Sequence, residues 1–305
     1  MNMAEDTLAN LHGQWRADEP MSRHVSWRAG GKARRVYVPA DLDDLAAMMR
    51  AMPRAEPMMF VGLGSNLLVR DGGYPGTVVL THGVLNEVRL QGQAIYAGAG
   101  VASPKVARFA AVHDLAGAEF LAGIPGTIGG ALAMNAGCYG AETWPFVREV
   151  GVLGRDGVVR RRARDEFEIG YRHVALRASP GQSEEWFVAA TFQFGSGRGD
   201  EARERIKNLL ARRIATQPLN MPNAGSVFRN PPGDFAARLI EACGLKGQRS
   251  GGAVVSDKHA NFIVNTGGAA AADIESLIEE AQTRVLERFG IVLEREVRIV
   301  GEAAA

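Results

Sequence analysis

One stretch limits the chain more than any other: Gly123-Ile-Pro-Gly-Thr-Ile-Gly-Gly-Ala131, followed by Met134-Asn-Ala-Gly137. Glycine has no Cβ, so its backbone can approach a ligand closely. Several glycines in succession turn N–H groups toward one concavity, a shape that suits a pyrophosphate. Ile124, Ile128 and Leu132 pin this loop to a core, whereas flexible linkers are polar throughout. The plain alternative is a surface turn without a ligand. A second stretch favours the ligand. Met58-Met-Phe-Val61 reads as a buried strand and runs into Gly62-Leu-Gly-Ser-Asn66, then Leu67-Leu-Val69. A dinucleotide fingerprint of the Rossmann type needs a third glycine and a following helix, and Leu67 takes that glycine's place. Gly98-Ala-Gly100-Val-Ala-Ser103 does precede a helical pattern, but a partial match identifies nothing alone.

The 305 residues allow two or three domains, and 46% hydrophobic with 23% charged residues fits a globular protein with a sizeable core. A net charge of +1 supplies no global field for nucleic acid or an anionic membrane. The basic run Arg160-Arg-Arg162 with Arg164 has no interleaved aromatics for base stacking and reads as a solvated strand end. Cys138 and Cys243 lie far apart with no metal-site or disulfide spacing, which fits a reducing, cytoplasmic setting. Glu5 and Asp6 interrupt any signal segment, and no stretch nears the roughly 18 apolar residues of a membrane span.

Along the chain, residues 1–20 read as a loose arm. Strands are expected at Arg34 to Val38, Met58 to Val61, Thr77 to Leu80, Glu87 to Leu90 and Ala94 to Ala97. Asp41 should cap a helix to Arg50, and Ser103 should cap another with Pro104 at its first turn. Asp156-Gly157 marks a hairpin between Val147–Leu153 and Val158–Arg161. Trp186 to Phe194 should close that sheet. From Asp200 a charged amphipathic helix begins, followed by helices near 234–243 and 271–289, a strand at Phe262 to Val264, and a last strand from Val292 to Val300. The domains expected are an arm at 1–20, then 21–85, 86–198 and 199–305.

Polar groups sit at telling places. Tyr171-Arg172-His173 follows the Gly170 turn, where an arginine can clamp a carboxylate bidentately. Ser226 lies in a loop of few charges, and most such serines only turn the chain. Glu296 falls on the solvent face of the last strand by periodicity. Lys258-His259-Ala-Asn261 is a polar cluster that suits phosphate or sugar, or equally a strand entry.

Taken together, Gly62-Leu-Gly-Ser-Asn-Leu-Leu-Val69, the Gly123–Ala131 stretch, Asn135-Ala-Gly137, Tyr171-Arg172, Asn223-Ala-Gly-Ser-Val-Phe-Arg-Asn-Pro231, Gly244-Leu-Lys-Gly247, Lys258-His-Ala-Asn-Phe-Ile-Val-Asn265 and Glu296-Val297 closely resemble the UDP-N-acetylenolpyruvoylglucosamine reductases. The resemblance runs from about Arg28 to Gly301. It implies an α+β fold: a two-subdomain FAD-binding region of the PCMH/VAO type, then a smaller α/β substrate-binding domain that returns Glu296 to the flavin site. It implies non-covalent FAD, with NADPH as hydride donor. The substrate implied is UDP-N-acetyl-3-O-(1-carboxyvinyl)glucosamine, reduced to UDP-N-acetylmuramate for peptidoglycan.

By the same resemblance Gly62, Gly64, Ser65, Asn66, Leu67, Gly123, Ile124, Pro125, Gly126, Thr127, Gly129, Gly130, Asn135, Ala136 and Gly137 hold the flavin. Tyr171, Asn223, Asn230, Lys246, Lys258 and His259 meet the substrate. Flavin N5 gives hydride to the terminal carbon of the enol ether. Arg172 and Glu296 stabilise the negative charge that develops at the α-carbon and carboxylate, and Ser226 supplies the proton. A monomer is expected, with no metal.

Two departures stand out. His24-Val-Ser-Trp-Arg-Ala-Gly-Gly31 replaces a segment that usually carries Thr and Phe. The substrate-covering tyrosine loop of one subgroup is missing after Phe194. An FAD oxidase or dehydrogenase of the same fold is the nearest rival, since Cys138 beside the glycine stretch could tether flavin. A nucleotide-sugar sensor would have no need of Arg172, Ser226 and Glu296 together.

Overall fold

The computed structural model describes residues 11–177 and 184–304. Residues 1–10 of the expected arm lie outside the described residues. Two compact units form. The first takes the described parts of Met1–Arg16, Val36–Gly62 and Thr77–Ala211; the second takes Ala17–Arg35, Leu63–Gly76 and the described part of Arg212–Ala305.

In the first unit the opening helix, α1 (Leu42–Ala51), starts where expected. The Asp44 amide donates to the Asp41 carboxylate at 2.8 Å, and Leu45, Met48 and Met49 turn inward. Met58–Val61 pairs in parallel with Tyr74–Leu80, from Met58↔Thr77 to Val61↔Leu80. The expected loose arm is different: Gln14–Pro20 is a strand at the edge of that sheet, and the Trp15 ring leans on Tyr37. Its polar composition reads as coil because an edge strand shows much of its surface to water.

The main sheet of the unit has five antiparallel strands, in the order Val159–Ala163, Val147–Gly154, Glu185–Gln193, Ala94–Gly98, Val88–Gln91. The Asp156-Gly157 hairpin is present, with Leu153 opposite Val159. Glu185–Gln193 does not close the sheet but occupies its centre, which explains its run of buried residues. Helix α2 (Ser103–Val112) buries Val106, Ala107, Ala110 and Ala111 in a core shared with Trp144 and Phe192. Ser103 is not its cap. Ala102 takes that position, and the Ser103 hydroxyl is buried with no hydrogen-bond partner. The short helix α3 (Ile128–Ala133) carries the glycine stretch. Phe167–Gly170 and His173–Leu176 form a separate hairpin, Gly170 facing His173. Beyond Gln193 the chain passes through Gly195–Ser196 into α4 (Gly199–Thr216), so no covering loop is inserted there.

The second unit stacks α5 (Ala236–Ala242) and α6 (Ala271–Phe289) on the sheet Arg249–Ser250, Ala253–Val255, Ile263–Asn265. Helix α6 has the bounds its apolar spacing predicts and ends on Gly290 at φ 67. Trp27, from the departing segment, is fully buried here and donates its indole N–H to the Ile263 carbonyl at 2.8 Å. The expected strand over 292–300 is broken. Only Arg298–Val300 pairs with Leu67–Val69, while Arg295 bridges to Phe228. The chain changes partner at Glu296, and that exchange prevents one continuous ladder.

Candidate active site

In the first unit the glycine stretch is docked rather than suspended. The Ser103 amide donates to the Gly126 carbonyl at 2.9 Å, and Ile128 and Gly129 amides donate to the Val101 and Ala99 carbonyls at 2.8 Å. The segment with the partial dinucleotide match is thus the platform for the loop. Several glycines are needed by the protein itself. A Cβ on Gly62 would lie 2.2 Å from the Thr127 hydroxyl, and one on Gly123 would lie 2.3 Å from the Cys138 sulfur. One on Gly129 would press on Ala99 at 3.0 Å. Within this unit Gly62 therefore abuts Thr127 of the glycine loop.

Gly130 differs. It is exposed, a Cβ there would meet only the Thr127 hydroxyl at 3.9 Å, and its amide has no acceptor among the described residues. A free first-turn N–H beside open space fits a phosphate oxygen. Ile124 is buried and Pro125 exposed at the rim.

Asn135 and Arg172 lie next to this loop. Asn135 is buried at φ 46, its amide donates to Glu142 at 2.8 Å and to the Gly170 carbonyl at 3.1 Å, and its oxygen accepts from the Trp144 amide. The side chain ties the turn after α3 to the hairpin that carries Tyr171 and Arg172. Arg172 sits at φ 52, uncommon for a residue with a Cβ, and donates to the carbonyls of Gly137 at 2.9 Å and Asn135 at 3.4 Å. Its guanidinium stands 4.9 Å from the centre of the half-exposed Tyr171 ring. The Ala136 carbonyl accepts from the Thr143 amide and hydroxyl, which fixes the same turn.

The second unit gathers a different set. Gly64, at φ 58, has the His24 carbonyl 2.1 Å from where a Cβ would be, so the His24-Val-Ser-Trp27 segment packs directly on it. Ser26 donates its amide to the Gly64 carbonyl. Next to Ser65, Asn66 holds the last segment from two sides. Its side-chain amide donates to the Glu296 carbonyl at 3.0 Å, and its own carbonyl accepts from the Arg298 amide at 3.0 Å. The Glu296 amide donates to the Val227 carbonyl at 2.8 Å. Ser226, one residue earlier, is thereby brought beside Glu296. The Ser226 hydroxyl makes no hydrogen bond among the described residues. Glu296 is half-buried, not on an open face as periodicity predicts, because its segment is no regular strand.

The residues expected at the substrate divide by how they are used. Asn223 donates to the Pro218 and Met221 carbonyls and accepts from the Gly225 amide, so it shapes the Ser226 loop. Asn230 accepts from the Ala236 amide at the start of α5. Lys246 pairs with Glu241 at 2.8 Å, and Lys258 donates to the Ile214 carbonyl at 2.6 Å. His259 is the exception: its Nδ1 is buried and unpartnered, and its ring meets Phe262 edge-on. Burial, then the nearby Lys246 charge, pushes its pKa down, so it is neutral at pH 7. Sequence reasoning missed the supporting role of Asn261. Its buried amide accepts from the Phe228 amide and donates to the Phe228 carbonyl at 2.9 and 2.8 Å, clamping the segment after Ser226. An asparagine inside an apolar run was the available signal. No cluster that could hold a metal occurs among the described residues.

Comparison with known proteins covers the whole chain. A family model described as "FAD binding domain" matches residues 33–162, and one described as "UDP-N-acetylenolpyruvoylglucosamine reductase, C-terminal domain" matches residues 217–300. The reductase of that name from Thiobacillus denitrificans is 57% identical over 316 aligned positions, covering 99% of this chain and 97% of the relative. The one from Methylococcus capsulatus is 58% identical, covering 99% and 98%. Among solved structures, the UDP-N-acetylenolpyruvylglucosamine reductase of Thermus caldophilus superimposes with a TM-score of 0.78 at 32% identity, over 94% of this chain and 98% of that one. The paired glycine stretches, the Ser226–Glu296 arrangement and this full-length similarity lead to one assignment: the chain belongs to the UDP-N-acetylenolpyruvoylglucosamine reductase family.

Proposed function

We propose that the protein is an FAD-dependent reductase that uses NADPH to convert UDP-N-acetyl-3-O-(1-carboxyvinyl)glucosamine to UDP-N-acetylmuramate, a step of peptidoglycan precursor synthesis. It does so as a cytoplasmic monomer, and no helix among the described residues is long and apolar enough to cross a membrane. The functional division is that of the sequence: FAD-binding regions at 21–85 and 86–198, a substrate-binding region at 199–305.

The residues present fit the cofactor. Gly130 offers an open amide, Gly126, Thr127 and Gly129 form the docked loop around it, and Gly62 adjoins Thr127. Gly64, Ser65, Asn66 and Leu67, with Gly123 to Pro125 and Asn135 to Gly137, complete the proposed set. Bound FAD supplies the hydride transfer from NADPH to the terminal carbon of the enol ether.

The chain's own side chains do the rest. Arg172, its fork steadied by two carbonyls, pairs with the substrate carboxylate where charge accumulates. Glu296 helps when protonated, because an ionised carboxylate would repel the enolate-like charge. Ser226 delivers its proton to the α-carbon. Among the substrate contacts proposed, Tyr171 offers an exposed ring, and neutral His259 a hydrogen bond without charge. Lys246 and Lys258 lie near the diphosphate, while Asn223 and Asn230 hold the loops that present these groups.

The observation that carries this reading is the Ser226 hydroxyl, unpartnered and held beside Glu296 by the Val227 carbonyl. A visible spectrum tests it. The protein should be yellow, bleach with NADPH, and regain colour when the enolpyruvyl substrate is added. A colourless protein that FAD cannot reconstitute, or a bleached flavin that the substrate does not reoxidise, would refute it. Colour retained by acid-precipitated protein would favour a tethered flavin and the oxidase reading.

A further inference from the structure

Within the first unit, Glu142 meets both residues that hold Arg172. It faces Gly137 across a two-residue antiparallel ladder, with Ala141 opposite Cys138. Its stem lies over Gly137, where a Cβ would come 3.0 Å from the Glu142 Cγ. Its carboxylate accepts from the Asn135 side-chain amide at 2.8 Å. These same two residues supply the carbonyls to which the Arg172 guanidinium donates, Gly137 at 2.9 Å and Asn135 at 3.4 Å. The Asn135 amide nitrogen has two hydrogens, and it also donates to the Gly170 carbonyl, two residues before Arg172. Among the described residues the Asn135 side chain makes three hydrogen bonds. The one to Glu142 is the shortest, the others being 3.1 Å, and it alone involves a charged group. Glu142 is half-buried and forms no ion pair among the described residues, so this amide is what its charge meets.

We propose that Glu142 is the positioning residue of Arg172: it holds Asn135 and Gly137 so that the guanidinium stands where the substrate carboxylate gathers charge. The inference rests on the proposed role of Arg172. An ionised carboxylate only accepts hydrogen bonds, so it meets the NH2 end of Asn135 and never its oxygen, which fixes the way that amide faces. Arg172 at φ 52 and Asn135 at φ 46 are both left-handed, and such residues persist only where their surroundings over-determine them. The ladder itself does not require the carboxylate, because Gly137 and Glu142 pair through their backbones. What the carboxylate adds is the link from Asn135 to the turn that carries Arg172.

Stopped-flow absorbance of the FAD-loaded full chain reads the two half-reactions separately. Glu142→Ala should keep its flavin, since water reaches this half-buried place and can meet the Asn135 hydrogen. Its reduction by NADPH should match wild type. Its limiting rate of reoxidation by the enolpyruvyl substrate should fall about 10- to 100-fold, the cost of an ångström-scale misplacement. Glu142→Gln keeps an acceptor oxygen and should recover most of that rate. Affinity for UDP-N-acetylmuramate, by calorimetric titration, should fall less than the rate, because the guanidinium matters most where charge develops. In an Arg172→Ala background, Glu142→Ala should slow reoxidation little further, since two residues acting through one contact are not additive. The same fold-loss with and without Arg172 would overturn the proposal. So would an unchanged reoxidation rate, a Gln variant as slow as the Ala variant, or an affinity loss as large as the rate loss. Loss of flavin from Glu142→Ala, or equal slowing of both half-reactions, would make Glu142 a structural residue only. A wild-type flavin that the substrate leaves bleached would overturn the reductase reading itself, and this inference with it.

Discussion

A serine hydroxyl is a weak acid in water, yet an enolate-like carbon is base enough to take its proton when the two are aligned. Ser226→Ala should therefore leave flavin reduction by NADPH unchanged and slow reoxidation by the substrate about 10²- to 10⁴-fold, the usual cost of a missing general acid. Ser226→Cys should recover part of that rate. Stopped-flow absorbance at the flavin band measures both half-reactions, and equal slowing of the two would give Ser226 a structural role only. The residue type and its loop were legible in the chain. Its company was not: periodicity turned Glu296 to solvent, and only the shared contact with Val227 and the grip of Asn66 place it beside Ser226. Asn135 shows the same limit, since nothing local shows that its amide joins Glu142 to Gly170.

At the scale of elements, the glycine loop separates two kinds of glycine that look alike in a sequence. Gly62, Gly123 and Gly129 are small because other parts of the chain press on them, so bulk there disturbs the loop itself. Gly130 is small with nothing near it. Gly130→Val should keep the unfolding free energy of flavin-free protein within about 1 kcal/mol of wild type, since valine suits a helix no worse than glycine. It should still lower the flavin-to-protein absorbance ratio. Full flavin occupancy in Gly130→Val would remove this loop from the cofactor site.

Helix α6 gives an element-scale pH expectation. Its Glu275 accepts both forks of Arg70, at 2.8 and 2.9 Å. The Arg70 hydrogen bonds hold the Glu275 carboxyl below its ordinary value near 4.5, against the opposing effect of burial. A depressed folded-state pKa stabilises the fold fully above the unfolded value and loses that stabilisation as pH falls through the folded value. Glu275→Gln should thus lower stability by about 1 kcal/mol at pH 7, the pair being partly exposed. The gap to wild type should close progressively below about pH 4.5 in calorimetric scans. A gap that stays constant down to pH 3 would mean the pair contributes no linked charge.

For the whole molecule, a cofactor that binds only the folded chain raises stability by mass action, about 2.7 kcal/mol at a hundredfold excess over its Kd. Melting temperature of deflavinated protein should climb with added FAD and not with FMN at equal concentration; no response to FAD would contradict the cofactor assignment. The sequence by itself determined the α+β character, the bounds of α1 and α6, the Asp156-Gly157 hairpin and the two glycine stretches. Each of these rests on local chemistry: a cap, a turn residue, an apolar period, an absent Cβ. Tertiary structure decided where that local chemistry is silent. It made a polar arm into the edge strand Gln14–Pro20, put Glu185–Gln193 at the centre of its sheet, and broke the last strand at Glu296. Pairing partners far apart in the chain settle these points, and the period of a segment fixes which residues share a face but not what that face will meet.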